Sequence, residues 1–349
     1  MLEQFKERIL EGKPLCIRGG ATKDFYGNAP QGEPLDTRTY CGIVAYEPTE
    51  LFITARCGTP LAEVEAALAD KGQCLAFEPP RFGANSTIGG AVAAGLSGPR
   101  RVSAGALRDF VLGVKILDGE ARELTFGGQV MKNVAGYDVS RLMAGSLGTL
   151  GLILEVSLKV LPKPVAESTL RFAMSEGDAL GQLNRWAGQP LPIVASAWQD
   201  GVLTMRLAGA RAAVDAAERK LGGEKIGAGG AGYWSGVRDQ TAPFFAGSTP
   251  LWRLSVPSVA PLLDLPGAAL IEWGGAQRWL RSDAAAESIR TAAEKVGGSA
   301  TAFRCDPALK AAVGTFAPLP APLMNLHRSL KQAFDPRSIF NPGRMYPEF

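Results

Sequence analysis

Apolar positions in the first part of the chain fall into short continuous runs separated by stretches of helical spacing. Leu51-Phe52-Ile53-Thr54-Ala55-Arg56 is a compact β-rich run and predicts a strand. From Pro60 to Lys71 the period changes: Leu61, Val64, Ala67 and Leu68 share one helical face. Pro60 sits near the start, where a missing N–H is harmless, and Gly72 ends the helix as a left-handed cap. Phe110 to Leu117 and Leu150 to Val160 are longer β-rich runs; Pro162 and Pro164 stop the second, which places a first domain at 1–165. Met1 to Leu10 spaces its apolar residues helically among charges and predicts an amphipathic helix.

The texture then changes. Strands at Thr169–Phe172 and Val202–Leu207 alternate with Ala-rich helices at 210–221 and 282–296, which predicts a second, α+β domain over 166–305 with one antiparallel sheet. Gly227 to Gly232 predicts a flexible loop; a phosphate loop is disfavoured because no strand leads into it. A last helix is predicted from Leu323 to Phe334, within a third segment, 306–349.

Composition narrows the function classes. A chain of 349 residues is long for one core, so two domains are expected. The formal net charge of +3 comes without any block of like charges, which argues against a nucleic-acid stripe or a polybasic membrane surface. No apolar run approaches the roughly 20 residues of a membrane span, and the first residues lack a signal-peptide core, so a soluble, cytoplasmic protein is expected. Cys16, Cys41, Cys57, Cys74 and Cys305 are widely spaced with no C-x-x-C, so neither a zinc site nor a cluster-binding run is expected, and buried free thiols are. With His327 as the single histidine, the chemistry is not built from a histidine cluster.

Two polar glycine turns carry the ligand signal. Pro79-Pro80-Arg81-Phe82-Gly83-Ala84-Asn85-Ser86-Thr87-Ile88-Gly89-Gly90 leads from a stiff diproline into Gly and Ala with little side-chain bulk. Internal glycines make a poor ordinary helix, at about 1 kcal/mol each against Ala, but let backbone N–H groups reach a phosphate. A tightly packed helix start accounts for this stretch equally well on its own. The second turn, Arg18-Gly19-Gly20-Ala21-Thr22-Lys23, follows the apolar run Leu15-Cys16-Ile17, and the pair points to a ligand with a diphosphate. The chain has neither a G-x-G-x-x-G after a strand nor a G-x-x-x-x-G-K-[ST], which sets aside a nicotinamide Rossmann site and a P-loop hydrolase.

Motif order then becomes recognisable. After these two turns come Arg108-Asp109-Phe110-Val111-Leu112-Gly113, Lys132-Asn133-Val134-Ala135-Gly136-Tyr137-Asp138, and Gly145-Ser146-Leu147-Gly148-Thr149-Leu150-Gly151. The chain closes with Phe334-Asp335-Pro336-Arg337-Ser338-Ile339-Phe340-Asn341-Pro342-Gly343. This series resembles the vanillyl-alcohol oxidase / p-cresol methylhydroxylase (PCMH) family of FAD proteins, and within it the FAD-binding subunits of bacterial glycolate oxidases. The resemblance implies an α+β fold: a two-subdomain FAD-binding domain, a smaller cap with an antiparallel sheet, and a C-terminal tail that returns to the FAD domain.

It also implies site residues. Backbone at Arg18, Gly19, Gly20, Ala21, Thr22 and Lys23, with Pro80, Asn85, Thr87, Ile88, Gly89 and Gly90, would hold the FAD diphosphate. Thr87 serves equally as the N-cap of the following helix, and Lys23 equally as a solvated lysine. Gly95, Ser97 and Gly98 fall near the ribityl chain and flavin edge, Ile153 beside the adenine, and Asn341 on the returning tail. Gly145, Gly148 and Gly151 serve adenine-side packing or simply permit a bulge. Ala21 replaces a third glycine, and Leu147 stands where relatives often carry Glu. Neither glycine turn contains a histidine, so the common covalent linkage is excluded and FAD is expected to be non-covalent; Cys16, Cys57 or Cys74 as a thioether donor is disfavoured.

Relatives that oxidise 2-hydroxy acids use several histidines in the middle domain, some binding metal, and this chain lacks them. His327 is expected on a helix surface, no metal site is expected, and the catalytic residues stay unknown. Tyr137, Tyr233 and Glu272 are candidate bases, and Arg253 or Arg278 candidate carboxylate ligands, each more easily structural. The resemblance thus implies a subunit that passes electrons to a homologous FAD-containing catalytic subunit and an iron–sulfur subunit, peripheral to the inner membrane through that complex. Two alternatives stay open: a self-sufficient flavin oxidoreductase of another alcohol or hydroxy acid, and a non-catalytic scaffold.

Overall fold

A computed structural model of the chain describes residues 1–128 and 138–348. Lys132 to Tyr137 of the fourth motif, including the candidate base Tyr137, lie outside the described residues. The chain divides into two compact units. The first comprises 1–97, 106–162 and 318–349; the second comprises 98–105 and 163–317.

The first unit carries strands β1 (Leu15–Arg18), β2 (Glu33–Asp36), β3 (Ile43–Glu47), β4 (Phe52–Arg56), β5 (Gln73–Cys74), β6 (Val111–Leu117), β7 (Glu123–Gly127), β8 (Leu152–Lys159) and β9 (Leu161–Pro162). Five of them form an antiparallel sheet in the order β3-β4-β8-β6-β7. β1 and β2 pair in parallel, and Phe340 of the tail bridges to Leu15 on β1, also in parallel. Helix α1 (Leu2–Leu10) turns Phe5 and Ile9 into a core with Leu15, Leu35, Leu152, Ile339 and Phe340. Each such side chain contributes about 1.5–3 kcal/mol on burial, so the two ends of the chain are joined by packing as well as by hydrogen bonds. Helix α2 (Leu61–Asp70) buries Leu61, Val64 and Leu68, and Gly72 beyond it has φ +67°. Helix α3 (Ile88–Ala94) is short and ends at Gly95 in the left-handed conformation.

The second unit is built on β10 (Ala166–Ala173), β11 (Ile193–Gln199), β12 (Val202–Gly209), β13 (Glu224–Ile226), β14 (Leu251–Ser255), β15 (Ala268–Glu272), β16 (Gln277–Arg281) and β17 (Ser299–Arg304). Their order is β13-β10-β12-β11-β15-β16-β14-β17, with every pairing antiparallel. Helices Glu176–Ala187, Arg211–Leu221 and Ala286–Lys295 pack apolar faces on it; Val214 and Ala217, for example, meet Leu170 and Leu207.

Three details depart from the sequence reading. Residues 98–105 group with the second unit although they lie within 1–165, and the returning segment begins at Pro318 rather than 306. The glycine run at 227–232 is not a loop throughout, because helix Gly229–Arg238 starts inside it. Glycine is tolerated there for closeness: a Cβ on Gly230 would lie 2.8 Å from Thr169 Oγ1. The helix is anchored by buried Trp234, whose indole N–H donates to that same hydroxyl at 3.0 Å. Tertiary packing overrides the poor propensity.

Candidate cofactor site

In the first unit the end of β1, the first glycine turn, α3 and the 145–151 turn line two adjoining, half-open hollows, one larger than the other. Gly19, Gly90, Ala93, Leu147 and Asn341 line both. Of the expected residues, Arg18, Gly19, Gly20, Ala21, Thr22, Lys23, Thr87, Gly90 and Asn341 line the larger hollow, while Gly89 and Ile153 line the smaller. Pro80, Asn85, Ile88, Gly95, Ser97 and Gly98 are not among the lining residues.

The first turn is shaped as an anion cradle. Ala21 has φ +57°, a left-handed residue among neighbours without positive φ. Among the described residues, no protein oxygen accepts from the amides of Gly19, Gly20, Ala21 or Thr22. These partly exposed amides are open to water or to a ligand, and successive amides around a left-handed residue form a nest that suits phosphate oxygens. The glycines also bring backbones together: a Cβ on Gly20 would collide with the Asn85 carbonyl, and one on Gly19 with Thr87 Oγ1. Asn85 therefore acts as a wall behind the cradle.

The second turn behaves differently. Ile88 N–H donates to Thr59 O at 2.9 Å and Gly89 N–H to Cys57 O at 2.9 Å. Those two amides, expected to face a phosphate, are paired within the protein in this structure. Gly89 is small because a Cβ would stand 2.8 Å from Cys57 O and 2.9 Å from Cys57 Cα. Thr87 is the N-cap: its hydroxyl accepts from Gly90 N–H at 3.3 Å. Gly90 keeps the hollow open, since a Cβ there would meet only Thr87 Oγ1, at 3.2 Å. Further along, Gly95 packs against Gly145, Ser97 Oγ accepts from Leu107 N–H at 2.9 Å, and Gly98 O accepts from Trp273 Nε1 at 3.1 Å within the second unit.

Charged groups at the hollow are mostly held by protein partners. Arg18 pairs with Asp24. Lys23 is not merely solvated: its ammonium donates to Ser86 Oγ at 2.8 Å and lies 5.7 Å from the Phe82 ring centroid, tying one turn to the other. Burial raises the Cys16 thiol and pushes Cys57 up to about 12, so both walls carry neutral thiols. Cys41, in contrast with the expectation of burial, is exposed.

The sequence reading missed Arg344, which lines the larger hollow. Burial draws its guanidinium down to about 10, still charged at neutral pH. Asp24, Gln31, Thr37 and Gly151 are further lining residues. Of these, Gly151 lies in the 145–151 motif already read as adenine-side packing, and Arg344 lies just beyond the closing Asn341-Pro342-Gly343 motif.

The remaining candidates are committed elsewhere. Arg278 in the second unit donates to the carbonyls of Ala260 and Pro261 at 2.6 Å and of Gly275 at 3.3 Å, a structural clamp. Glu272 accepts from Trp279 Nε1 at 2.6 Å and Gln277 Nε2 at 3.1 Å. Tyr233 packs edge-on against Trp234, and burial raises its phenol. Arg253 stacks over Phe303. His327 sits half-buried on helix Ala321–Phe334, with its ring 6.1 Å from that of Tyr346. No helix among the described residues is long and apolar enough to cross a membrane.

Comparison with known proteins agrees with this geometry. Residues 9–141 match the model of an FAD binding domain. The chain is 50% identical over 349 residues to the glycolate oxidase subunit GlcE of Escherichia coli (strain K12), covering all of this chain and 97% of that one. It is 33% identical over 172 residues to the glycolate oxidase subunit GlcD of Bacillus subtilis (strain 168), covering 48% of this chain and 36% of that one. An alkyldihydroxyacetonephosphate synthase structure superposes with a TM-score of 0.67 at 16% identity, over 98% of this chain and 73% of that one; at that identity it shows the fold alone. The chain is a flavoprotein of the PCMH type, and it belongs to the family of glycolate oxidase GlcE subunits.

Proposed function

We propose that the chain is the FAD-binding subunit of a multi-subunit glycolate (2-hydroxy-acid) oxidase and moves electrons within that complex. The observation that carries the reading is full-length identity to a named glycolate oxidase subunit, together with a cradle of four amides that lack a protein acceptor. Gly19, Gly20, Ala21 and Thr22 would take the diphosphate; Gly90 and Ala93 would leave room beside it, and Ile153 would face the adenine. FAD, when bound, accepts electrons in pairs and releases them singly, which suits a station between a hydroxy acid and an iron–sulfur centre.

Oxidation of a hydroxy acid needs a cation for the carboxylate and a base for the hydroxyl proton. The groups of this chain best suited to those roles serve its own fold. The Arg278 guanidinium is filled by backbone carbonyls, Glu272 is bound by two side-chain donors, and His327 packs near Tyr346. A homologous FAD-containing subunit would supply that chemistry, and an iron–sulfur subunit would take the electrons onward.

The test is reconstitution. The isolated, FAD-loaded chain should reduce a dye with glycolate only at background rate, and activity should appear on adding the homologous flavoprotein and iron–sulfur subunits. Acid precipitation should leave the flavin in the supernatant. Robust glycolate-dependent reduction by the chain alone would favour a self-sufficient oxidoreductase, and yellow colour retained in the pellet would refute non-covalent binding.

A further inference from the structure

The C-terminal segment grips the first glycine turn at both of its ends. On one side Asn341 Oδ1 accepts from Ile17 N–H at 2.7 Å, two residues before Gly19, and Asn341 N–H donates to Leu15 O at 2.8 Å. On the other, the Arg344 guanidinium donates to the carbonyls of Tyr26 at 2.7 Å, Asp24 at 3.0 Å and Lys23 at 3.3 Å, and to that of Asn28. Asn28 answers by donating its N–H to Arg344 O at 2.9 Å and its side-chain amide to Gly343 O at 2.8 Å. Asn341 also donates through Nδ2 to Leu147 O at 2.6 Å, so one side chain spans the opposite walls of the hollow. The four acceptor-free amides lie between these two grips.

The tail is itself fixed from behind. Lys331 Nζ donates to Asp335 Oδ2 at 2.8 Å, Thr149 O at 2.7 Å and Phe340 O at 2.8 Å, and Asp335 accepts from the amides of Ile339 and Phe340. Both side chains are almost wholly buried. A buried charged pair so fully hydrogen-bonded holds one geometry and is strongly disrupted when either partner is removed.

We infer that Asn341 and Arg344 are positioning residues of the cofactor site: they brace both ends of the 19–22 turn, and FAD affinity is set through them. This rests on the cofactor reading above and extends it to residues acting through the backbone of the turn. A turn with three left-handed or glycine positions in four residues has many conformations of similar energy. Bracing selects the one whose amides converge, so that binding need not supply the ordering. Linkage makes the effect reciprocal: what the tail does for FAD, FAD must do for the tail.

The experiment is an FAD titration of the full chain by flavin fluorescence, with apo-protein unfolding midpoints and hydrogen exchange on the same samples. Arg344→Gln should weaken FAD at least tenfold, lower the apo midpoint without abolishing cooperative unfolding, and speed exchange at 19–26 but not along β8. Arg344→Lys should recover part of the affinity, and added guanidinium ion should partly rescue Arg344→Ala. In the wild-type chain, FAD should slow exchange of the Asn341 and Arg344 amides. Wild-type affinity in Arg344→Gln, or tail amides indifferent to FAD in the wild type, would overturn the brace. A wild-type chain that binds no FAD would instead overturn the cofactor reading. If Arg344→Gln fails to fold, the wild-type exchange measurement decides alone.

Discussion

The two glycine turns of the first unit look alike in sequence and do opposite things with their backbone. In the 19–22 turn the amides have no protein acceptor among the described residues, and the glycines allow a close approach to the Asn85 carbonyl and the Thr87 side chain. In the 87–90 turn the Ile88 and Gly89 amides are bonded to Thr59 and Cys57, and Gly89 is small so that α3 can lie against Cys57. One turn leaves its amides without a protein acceptor among the described residues; the other bonds two of them to the 57–59 segment. Glycine content alone does not distinguish these roles, because both need a missing Cβ. The distinguishing quantity is where the N–H groups go.

The sharpest way to break this comparison is Gly89→Val. Its side chain would press on Cys57 backbone atoms that cannot move independently of β4, so the apo-protein should lose about 3 kcal/mol or more of stability. Urea unfolding without FAD measures this; an unchanged midpoint would place Gly89 with the ligand rather than with the packing on Cys57. Gly90→Val should do the reverse. It fills the hollow while meeting only Thr87 Oγ1, so FAD should bind about a hundredfold more weakly, while apo stability stays within about 1 kcal/mol. Flavin titration beside urea unfolding separates the two. The smallest effect is expected from Thr87→Ala, which removes an N-cap worth about 1 kcal/mol. It should lower the unfolding midpoint slightly and FAD affinity less than tenfold, and Thr87→Ser should restore both.

Strong periodicity made much of the scaffold legible. The apolar face Leu61, Val64 and Leu68 appears as α2, and the runs ending at Arg56, Leu117 and Val160 appear as β4, β6 and β8, each shifted by a residue or two. The first glycine turn was legible for the same reason: a short apolar run, then Gly-Gly, then polar residues. What was not legible depends on partners distant in sequence. Helix Gly229–Arg238 forms because Trp234 finds Thr169, sixty-five residues upstream. The Ile88 and Gly89 amides look available until the 57–59 segment is seen against them. Asn341 was singled out only through a family motif, and Arg344 not at all, because their hydrogen-bond partners are main-chain carbonyls and amides more than 190 residues away.

That same closure has a consequence for biosynthesis. The first unit is assembled from segments on either side of a 155-residue insertion, from Lys163 to Ala317, so its contact order is high and its native pairings form slowly. On a ribosome, the second unit can collapse as soon as it emerges, whereas β1 and the turn after it wait for Phe340 and Arg344, made more than 300 residues later. The turn is therefore completed only late in synthesis, and until then Phe5 and Ile9 lack the Ile339 and Phe340 side chains they pack against, leaving apolar surface open to aggregation.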